Sequence, residues 1–253
     1  MTQVEKAIAF TALHKAGDPL VLFNIWDAGS AKTVAEAGAA AIATGSWSVA
    51  AAQGYPDGEK IPLELLLDIA KRIVDATTLP VSIDFEGGYA REPEALKANI
   101  AALIATGAVG LNFEDQIVGG DGLYGESEQA GRVAAVREAA EQAGVPLFIN
   151  ARTDLFLKER EPLKHKDLID QALSRAKAYA DAGASGFFVP GLSDPDLVAK
   201  VCAQSPLPVN VMRLGAMPPR ADLGALGVSR ISAGPGPYRD MIAHVSAQFI
   251  ALS

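Results

Sequence analysis

Cysteine and histidine are scarce in this chain of 253 residues, which contains one cysteine and three histidines. The single Cys202 excludes an internal disulfide and a cysteine-based metal cluster, and its helical surroundings favour a packing role. His14, His165 and His244 lie in helical or connecting segments. We interpret all three as surface residues, so histidine general-base chemistry is not expected.

Basic residues are also fewer than acidic residues. The chain has 22 Lys and Arg against 30 Asp and Glu, a formal net charge of -8. This balance argues against nucleic acid or a membrane as a partner and leaves room for a small anion at a local positive site. No apolar run reaches the roughly 20 residues of a membrane-spanning helix, and acidic Glu5 lies where a signal peptide would be basic. We expect a cytoplasmic protein that binds a small molecule.

What the chain does contain is a repeated pair of elements. Short apolar runs bounded by turn residues alternate with helical stretches, a pattern typical of parallel strands joined by right-handed crossovers. The runs predict eight strands, at residues 20–26, 40–44, 81–85, 109–113, 147–150, 186–189, 209–212 and 228–231. We therefore predict an α/β fold, a (β/α)8 TIM barrel that forms a single domain over residues 1–253, with an extra N-terminal helix.

Glycines mark the ends of the predicted helices. Five of them follow an amphipathic stretch and precede an apolar run, where glycine can adopt the left-handed conformation that ends a helix: Gly38, Gly107, Gly144, Gly183 and Gly227. The alternative is an open doubly wound sheet, which predicts a glycine-rich phosphate loop after the first strand. Residues 26–30 read W-D-A-G-S and lack that motif, so the barrel is favoured.

The stretch Pro80–Ala90 contains the strongest functional signal. A short apolar run ends in Asp84 and Glu86, followed by two glycines. Residues i and i+2 of a strand share one face, so these carboxylates would lie a few Å apart. Like charges that close either raise one pKa or are bridged by a cation. The alternative is an ordinary polar strand end followed by a turn.

Other polar residues follow neighbouring predicted strands, where the catalytic groups of such barrels lie. Glu114 adds a third carboxylate, and this oxygen set suits Mg²⁺ better than zinc. The planar guanidinium of Arg152 matches a carboxylate of a ligand; alternatively, Arg152 is the counter-ion that neutralises the acidic strand ends. The backbone N–H groups of residues 44–46 would form a small anion site, where Gly45 lets a ligand approach.

The motifs NIWDAGSA (24–31), TGS (44–46), GYPD (54–57), DFEGGY (84–89), NFEDQ (112–116) and ARTD (151–154) resemble the isocitrate lyase / phosphoenolpyruvate mutase superfamily in order and position. The resemblance covers nearly the whole chain. It implies a barrel whose last helix is exchanged between subunits, hence a homodimer or homotetramer. It also implies Mg²⁺, with Mn²⁺ as a substitute, and small 2-oxo or 2-hydroxy acids that react through a pyruvate-type enolate.

The resemblance also implies roles for individual residues. It assigns the substrate carboxylate to Thr44, Gly45 and Ser46, and the metal with its waters to Asp84, Glu86 and Glu114, with Asp57 beside them. Arg152 would bind the substrate's oxygens, and Asp57, Arg152 and Glu114 would form the catalytic group. Trp26 and Asn210 complete the predicted substrate contacts.

Three departures from the superfamily bear on the reaction. Lyase members carry a Lys-Lys/Arg-Cys-Gly-His loop after the fourth strand, but residues 117–126 contain neither Cys nor Lys. Tyr124 or Glu126 could replace that acid, or the stretch is a solvated turn. Glu86 stands where Asp is usual. Pro190 stands where the mutase has His, which counts against phosphoryl transfer.

Decarboxylation needs the fewest specialised groups. We therefore predict a Mg²⁺-dependent lyase of small 2-oxo or 2-hydroxy (di)carboxylic acids, either an oxaloacetate decarboxylase or a pyruvate-forming carbon–carbon lyase. One alternative is P–C bond chemistry of the phosphonopyruvate hydrolase or phosphoenolpyruvate mutase type. Another is a barrel that binds a 2-oxo acid without turnover.

Overall fold

The computed structural model describes residues 1–213 and 217–252. This part of the chain contains strands β1 Leu20–Leu22, β2 Asn24–Ile25, β3 Ile42–Thr44, β4 Val81–Asp84, β5 Gly110–Glu114, β6 Phe148–Arg152, β7 Gly186–Phe188, β8 Val209–Met212 and β9 Arg230–Ser232. The helices are α1 Gln3–Ala12, α2 Ala28–Glu36, α3 Ser46–Ala52, α4 Leu63–Asp75, α5 Pro93–Ala105, α6 Glu126–Gln142, α7 Leu155–Lys158, α8 Ile169–Asp181, α9 Pro195–Gln204, α10 Arg220–Ala225 and α11 Gly236–Leu252, with a 3-10 helix at Pro162–Leu168.

All neighbouring strands pair in parallel, in the order β1-β9-β8-β7-β6-β5-β4-β3-β2. The strand predicted at residues 20–26 is divided at Phe23. Its first part, β1, pairs with β9, and its second part, β2, pairs with β3. One interrupted strand thus bonds to both of its neighbours and closes the sheet, which confirms the predicted (β/α)8 barrel.

The predicted helix ends are confirmed. Gly38, Gly107, Gly144, Gly183 and Gly227 all have positive φ, between 67° and 95°. Each lies just beyond a helix and turns the chain back toward the next strand. Because all neighbouring strands run parallel, the carboxyl ends of the strands share one mouth.

The extra N-terminal helix α1 packs against the barrel. Thr2 and Glu5 form a capping box at its start, and Phe10 is fully buried. The prediction that His14 and His165 lie at the surface is wrong. His14 stacks on Phe148 with ring centroids 3.9 Å apart, and His165 is buried with its Nε2 atom 2.9 Å from the Glu159 carbonyl oxygen. An imidazole can pack as an aromatic ring, which the helical pattern alone does not indicate.

The predictions for His244 and Cys202 agree with the structure. His244 is exposed on α11. Cys202 packs against the core from α9, and burial raises the pKa of its thiol to about 11. A thiol with so high a pKa is a poor nucleophile, in agreement with the predicted packing role.

The C-terminal helix α11 contributes little to the core of its own chain. Within Gly236–Leu252 only Tyr238 is buried, and the apolar side chains of Ile242, Val245, Ile250 and Leu252 are 46–88% exposed. Across the described parts of the chain, no helix combines the length and apolar character needed to cross a membrane.

Candidate active site

A cavity of about 180 Å³ opens at the carboxyl ends of the strands. Five of the predicted site residues line it: Gly45, Ser46, Asp57, Asp84 and Arg152. Strand ends and the segments that follow them also contribute Asn24, Asn112, Phe188, Pro190, Met212 and Ser232 to its wall. The cavity therefore lies where the barrel topology predicts a site, and it combines carboxylates with one guanidinium.

Asp84 is held by three hydrogen bonds. Its Oδ2 atom accepts from the Ser46 N–H at 2.9 Å, its Oδ1 accepts from Asn112 Nδ2 at 3.3 Å, and its own N–H donates to Thr44 Oγ1 at 2.8 Å. The Gly45 N–H donates to the Ile25 carbonyl. Two of the predicted anion-binding donors, the N–H groups of Gly45 and Ser46, are thus engaged within the protein, and Thr44 and Ser46 orient Asp84.

Arg152 lies between two carboxylates. Its Nη1 atom is 2.9 Å from Glu114 Oε2, while Nε and Nη2 donate to the two oxygens of Asp154 at 2.6 and 3.0 Å. Burial opposes the charge of Arg152, but Glu114 and Asp154 raise its pKa, so the guanidinium stays charged. Burial also raises the pKa of Glu114, against the opposing effect of Arg152. The arginine is oriented by both partners toward the cavity that it lines.

Glu86 is buried, and its Oε2 atom accepts a hydrogen bond from the Glu59 N–H at 2.8 Å. Burial raises the pKa of Glu86 to about 8, and the charges of Asp57 and Asp84 add to the shift. Asp57 is exposed at the rim, yet loss of water around its carboxylate and then the charge of Asp84 raise its pKa as well. These carboxylates therefore repel one another without a sufficient counter-charge.

This excess of negative charge fits a hard cation. Within residues 1–213 and 217–252, no three His, Cys, Asp or Glu side chains form a ready-made metal cluster. Mg²⁺, however, is commonly bound by one or two carboxylates and keeps several waters, so it does not require such a cluster. The available donors are oxygens, which is the ligand type that Mg²⁺ and Mn²⁺ prefer.

The remaining predicted residues lie behind or beside the cavity. Asn210 is buried and donates from Nδ2 to Ser232 Oγ at 3.1 Å. Trp26 packs edge-on against Tyr238 of α11 with ring centroids 5.1 Å apart. Tyr124 lies under the Arg132 guanidinium, 4.2 Å from the ring centroid, and Glu126 begins α6. The cavity lining in the described structure includes none of these four predicted residues, and it also leaves out Thr44, Glu86 and Glu114.

Sequence reasoning missed a buried layer below Asp84. Asn112 Oδ1 accepts from Asn150 Nδ2 at 2.8 Å and from Arg230 Nη2 at 3.1 Å. Arg230 is 1% exposed, and burial lowers its pKa to about 9, against the opposing charge of Asp84. One sequence signal could have indicated this layer. Asn112 lies two positions before Glu114, and residues two apart on a strand point to the same face, so Asn112 should lie beneath the site.

The closed parallel barrel and the acidic, arginine-containing cavity at its carboxyl-end mouth define a (β/α)8-barrel protein with an enzyme-type site. The family model for phosphoenolpyruvate phosphomutase matches residues 10–252. The chain belongs to this family, within the isocitrate lyase / phosphoenolpyruvate mutase superfamily.

Proteins that are similar to this chain in sequence include lyases. The chain is 35% identical over 231 residues to the uncharacterized protein Rv1998c of Mycobacterium tuberculosis, covering 91% of this chain and 83% of the relative. It is 27% identical to 2-methylisocitrate lyase of Escherichia coli, covering 83% and 71% of the two chains. It is 30% identical to oxaloacetate decarboxylase of a Bradyrhizobium species, covering 74% and 62%.

Solved structures agree with the barrel. A Burkholderia cenocepacia protein provisionally assigned as a phosphonomutase has a TM-score of 0.96 and 49% identity, with 99% of this chain and 100% of that chain covered. A phosphonopyruvate hydrolase crystallised with oxalate and Mg²⁺ has a TM-score of 0.84 and 21% identity, covering 100% and 87% of the two chains. At that identity the second likeness supports the fold alone.

Proposed function

We propose that this protein is a Mg²⁺- or Mn²⁺-dependent lyase of small 2-oxo or 2-hydroxy (di)carboxylic acids. The observation that carries the proposal is one cavity of about 180 Å³ that is lined by Arg152, Asp57 and Asp84, while Glu86 and Glu114, the latter paired with Arg152, lie outside its lining. That volume suits an acid of a few carbon atoms. Relatives named 2-methylisocitrate lyase and oxaloacetate decarboxylase support the same class of reaction.

Each residue would have a distinct part in this reaction. When bound, the metal ion would stabilise the negative charge that develops on the substrate oxygens. Asp84, Glu86 and Glu114 are the residues that would hold it, directly or through water. Arg152 would bind the substrate carboxylate, and Gly45 and Ser46 would border it.

In the bond-breaking step, a C–C bond of the substrate would cleave. A 2-oxo acid such as oxaloacetate would lose CO₂ and leave the electron pair on pyruvate as its enolate. A 2-hydroxy acid would give up its hydroxyl proton to a base or water, its hydroxyl carbon would become the carbonyl of pyruvate, and the electron pair would stay on the other carboxylate fragment, so that in either case one fragment holds the electron pair. Asp57, whose raised pKa favours retention of a proton, would then return a proton to that fragment from the rim. Water could perform the same transfer, which is why decarboxylation does not require the cysteine of the lyase loop.

P–C bond chemistry is the second candidate. The 49% identity to the Burkholderia protein provisionally assigned as a phosphonomutase favours it. Pro190, which lines the cavity, counts against it, because proline offers no side-chain donor or base to a phosphoryl group. The candidate of another class is a barrel that binds a 2-oxo acid without turnover, which would keep Arg152 and show no metal-dependent reaction.

We also propose a homodimer or homotetramer in which α11 packs on a neighbouring subunit. A cavity of about 630 Å³ lies between α2 and α10, and its lining includes Val21, Phe23 and Val34. Val21 and Phe23 are 46% and 48% exposed. The exposed apolar residues of α11 would complement this groove, and exchange of the helix would cover both apolar surfaces.

Pyruvate release coupled to lactate dehydrogenase tests the activity. The substrates are oxaloacetate, 2-methylisocitrate, 2,3-dimethylmalate and phosphonopyruvate, each with Mg²⁺ and with a chelator. Asp84→Ala protein, which we expect to be folded and inactive, gives the blank for spontaneous decay of oxaloacetate. Chelator-sensitive release from one of the first three supports the lyase, and release from phosphonopyruvate supports P–C cleavage. No release from any of the four would contradict the proposal.

A further inference from the structure

Three residues beside the site have an unusual backbone conformation. Among the described residues, the non-glycine positions with positive φ are Glu59 (55°), Glu86 (50°) and Tyr89 (58°). Side chains with a Cβ atom disfavour this left-handed region, so such residues persist where the surroundings hold them. Glu59 lies in one segment, and Glu86 and Tyr89 lie in another that follows almost 30 residues later. Their common conformation indicates one shared cause.

Hydrogen bonds join the three residues reciprocally. The Glu59 N–H donates to Glu86 Oε2 at 2.8 Å, and the Tyr89 N–H donates to Glu59 Oε1 at 2.8 Å. The Tyr89 hydroxyl lies 3.5 Å from Glu86 Oε1. Each segment thus gives a backbone N–H to a carboxylate of the other. We name this arrangement of Glu59, Glu86 and Tyr89 the carboxylate clasp.

One side of the clasp is fixed to the barrel. Asn99 Nδ2 donates to the Gly88 carbonyl at 3.0 Å, and Arg132 donates to the carbonyls of Gly87 and Ala90. A Cβ atom at Gly87 would come within 3.0 Å of Glu59 Oε1, so the segment lies directly against the Glu59 carboxylate. The segment that contains Glu86 and Tyr89 is therefore a rigid anchor.

The other side of the clasp is an exposed segment. Residues 53–57 are exposed, and Asp57 within them lines the cavity two positions before Glu59. Two residues after Asp57, Glu59 makes the long-range hydrogen bonds of the clasp. The clasp thus ties a solvent-exposed loop to the rigid segment that follows Asp84.

We propose that Glu59 is a positioning residue, which acts through the carboxylate clasp to hold Asp57 beside Asp84 at the rim of the site. Its carboxylate contacts the Tyr89 N–H and lies over Gly87, and it is absent from the cavity lining. The catalytic consequence rests on the proposed function, because it assumes that Asp57 takes part in turnover. The structural consequence, a loop held by Glu59, does not.

Hydrogen exchange of the full-length, metal-free protein tests the structural consequence. Glu59→Gln keeps an oxygen acceptor at the same distance, whereas Glu59→Ala removes it, and both lose the charge. We expect the amides of residues 57–60 and 86–90 to exchange roughly tenfold faster in Glu59→Ala, as for loss of one hydrogen bond, and Glu59→Gln to stay close to the native protein. Equal exchange in the two variants overturns the proposal.

A second variant separates the hydrogen bond from backbone strain. Asn tolerates positive φ better than Ala, but the shorter side chain of Glu59→Asn does not reach the Tyr89 N–H. Fast exchange in Glu59→Asn supports the clasp even where Glu59→Ala folds poorly. Native exchange in Glu59→Asn overturns it.

A double-mutant cycle with Asp57→Asn tests the catalytic consequence. With a substrate that the protein turns over, Glu59→Ala should lower kcat/KM about tenfold in the native background and change it little in the Asp57→Asn background, as expected for coupled residues. Additive losses would contradict action through Asp57. If none of the four acids is turned over, the proposed function fails, while the exchange comparison still decides the clasp.

Discussion

The Nη1 atom of Arg152 lies 2.9 Å from Oε2 of Glu114, and both side chains are largely buried. Asp154 holds the other edge of the same guanidinium through two hydrogen bonds. Since Arg152 also lines the cavity, this geometry fixes a planar donor at the place where a substrate carboxylate would bind.

Arg152→Lys should therefore not behave as a conservative change. An ammonium group cannot contact Glu114 and both oxygens of Asp154 at once, so we expect kcat/KM to fall on the order of a hundredfold or more. Arg152→Met should in addition lower the free energy of unfolding by about 3 kcal/mol, because two buried carboxylates lose their partner. Urea unfolding and steady-state kinetics measure the two effects. Full activity in Arg152→Lys would remove the guanidinium from the proposed mechanism.

His14 should make the stability of the protein depend on pH. Burial, followed by the charge of Arg230, lowers the pKa of His14 to about 3, and Nε2 is buried without a hydrogen-bond partner among the described atoms. The unfolded chain takes up a proton near the ordinary pKa of about 6.5, while the folded chain does not. The contribution of neutral His14 is thus complete above that pH and declines as the pH falls toward the folded value, by up to about 1.4 kcal/mol per pH unit.

His14→Phe keeps the ring stacked on Phe148 and removes the proton-binding site. We expect the urea midpoint of this variant to fall less than that of the native protein between about pH 6.5 and about pH 4.5. His244→Gln, at an exposed position, is the matched control and should follow the native protein. Parallel pH profiles for native protein and His14→Phe would show that another group governs acid stability.

A comparison of Gly88 with Gly122 distinguishes a steric clash from backbone strain. It has a φ of 85°, and a Cβ atom there would lie 2.4 Å from Leu96 Cδ1 and 3.1 Å from Phe113 Cε2. Gly122 has a φ of 79° with open space around it. Both Ala variants incur the conformational penalty of a positive φ, but only Gly88→Ala adds a steric clash. We therefore expect the free energy of unfolding of Gly88→Ala to fall by about 1–3 kcal/mol more than that of Gly122→Ala. Equal losses in thermal or urea unfolding would mean that Leu96 moves away without cost.

The exposed apolar side of α11 should control assembly. Ile250 is 69% exposed, and Gln248 is an exposed polar residue on the same helix. We expect Ile250→Lys to shift the native dimer or tetramer toward monomer in light scattering coupled to size-exclusion chromatography, because a charge would be buried in an apolar contact. Gln248→Lys should leave the mass unchanged. A native protein that is monomeric at high concentration would contradict the proposed exchange of helices.

Several features of the barrel could be predicted because their signals are local. The glycines at 38, 107, 144, 183 and 227 end helices through their own φ angles, and each apolar run has the length of a strand. The division of the first strand at Phe23 could not be predicted, since it arises where β1 and β2 bond to different neighbours. The partial burial of His14 and the burial of His165 were missed for a similar reason, because contacts far along the chain decide them.

For the site, the sequence by itself determined which polar residues stand at the carboxyl ends of the strands, since strand period and barrel topology place Asp84, Glu114 and Arg152 there. Only the tertiary structure decided which partners they take. The Ser46 N–H donates to the Asp84 carboxylate, the Glu86 carboxylate accepts from the Glu59 N–H, and the Asn210 side-chain amide donates to the Ser232 hydroxyl. The physical reason is that a hydrogen bond depends on loop paths and side-chain directions set by the closed barrel, which no local pattern encodes.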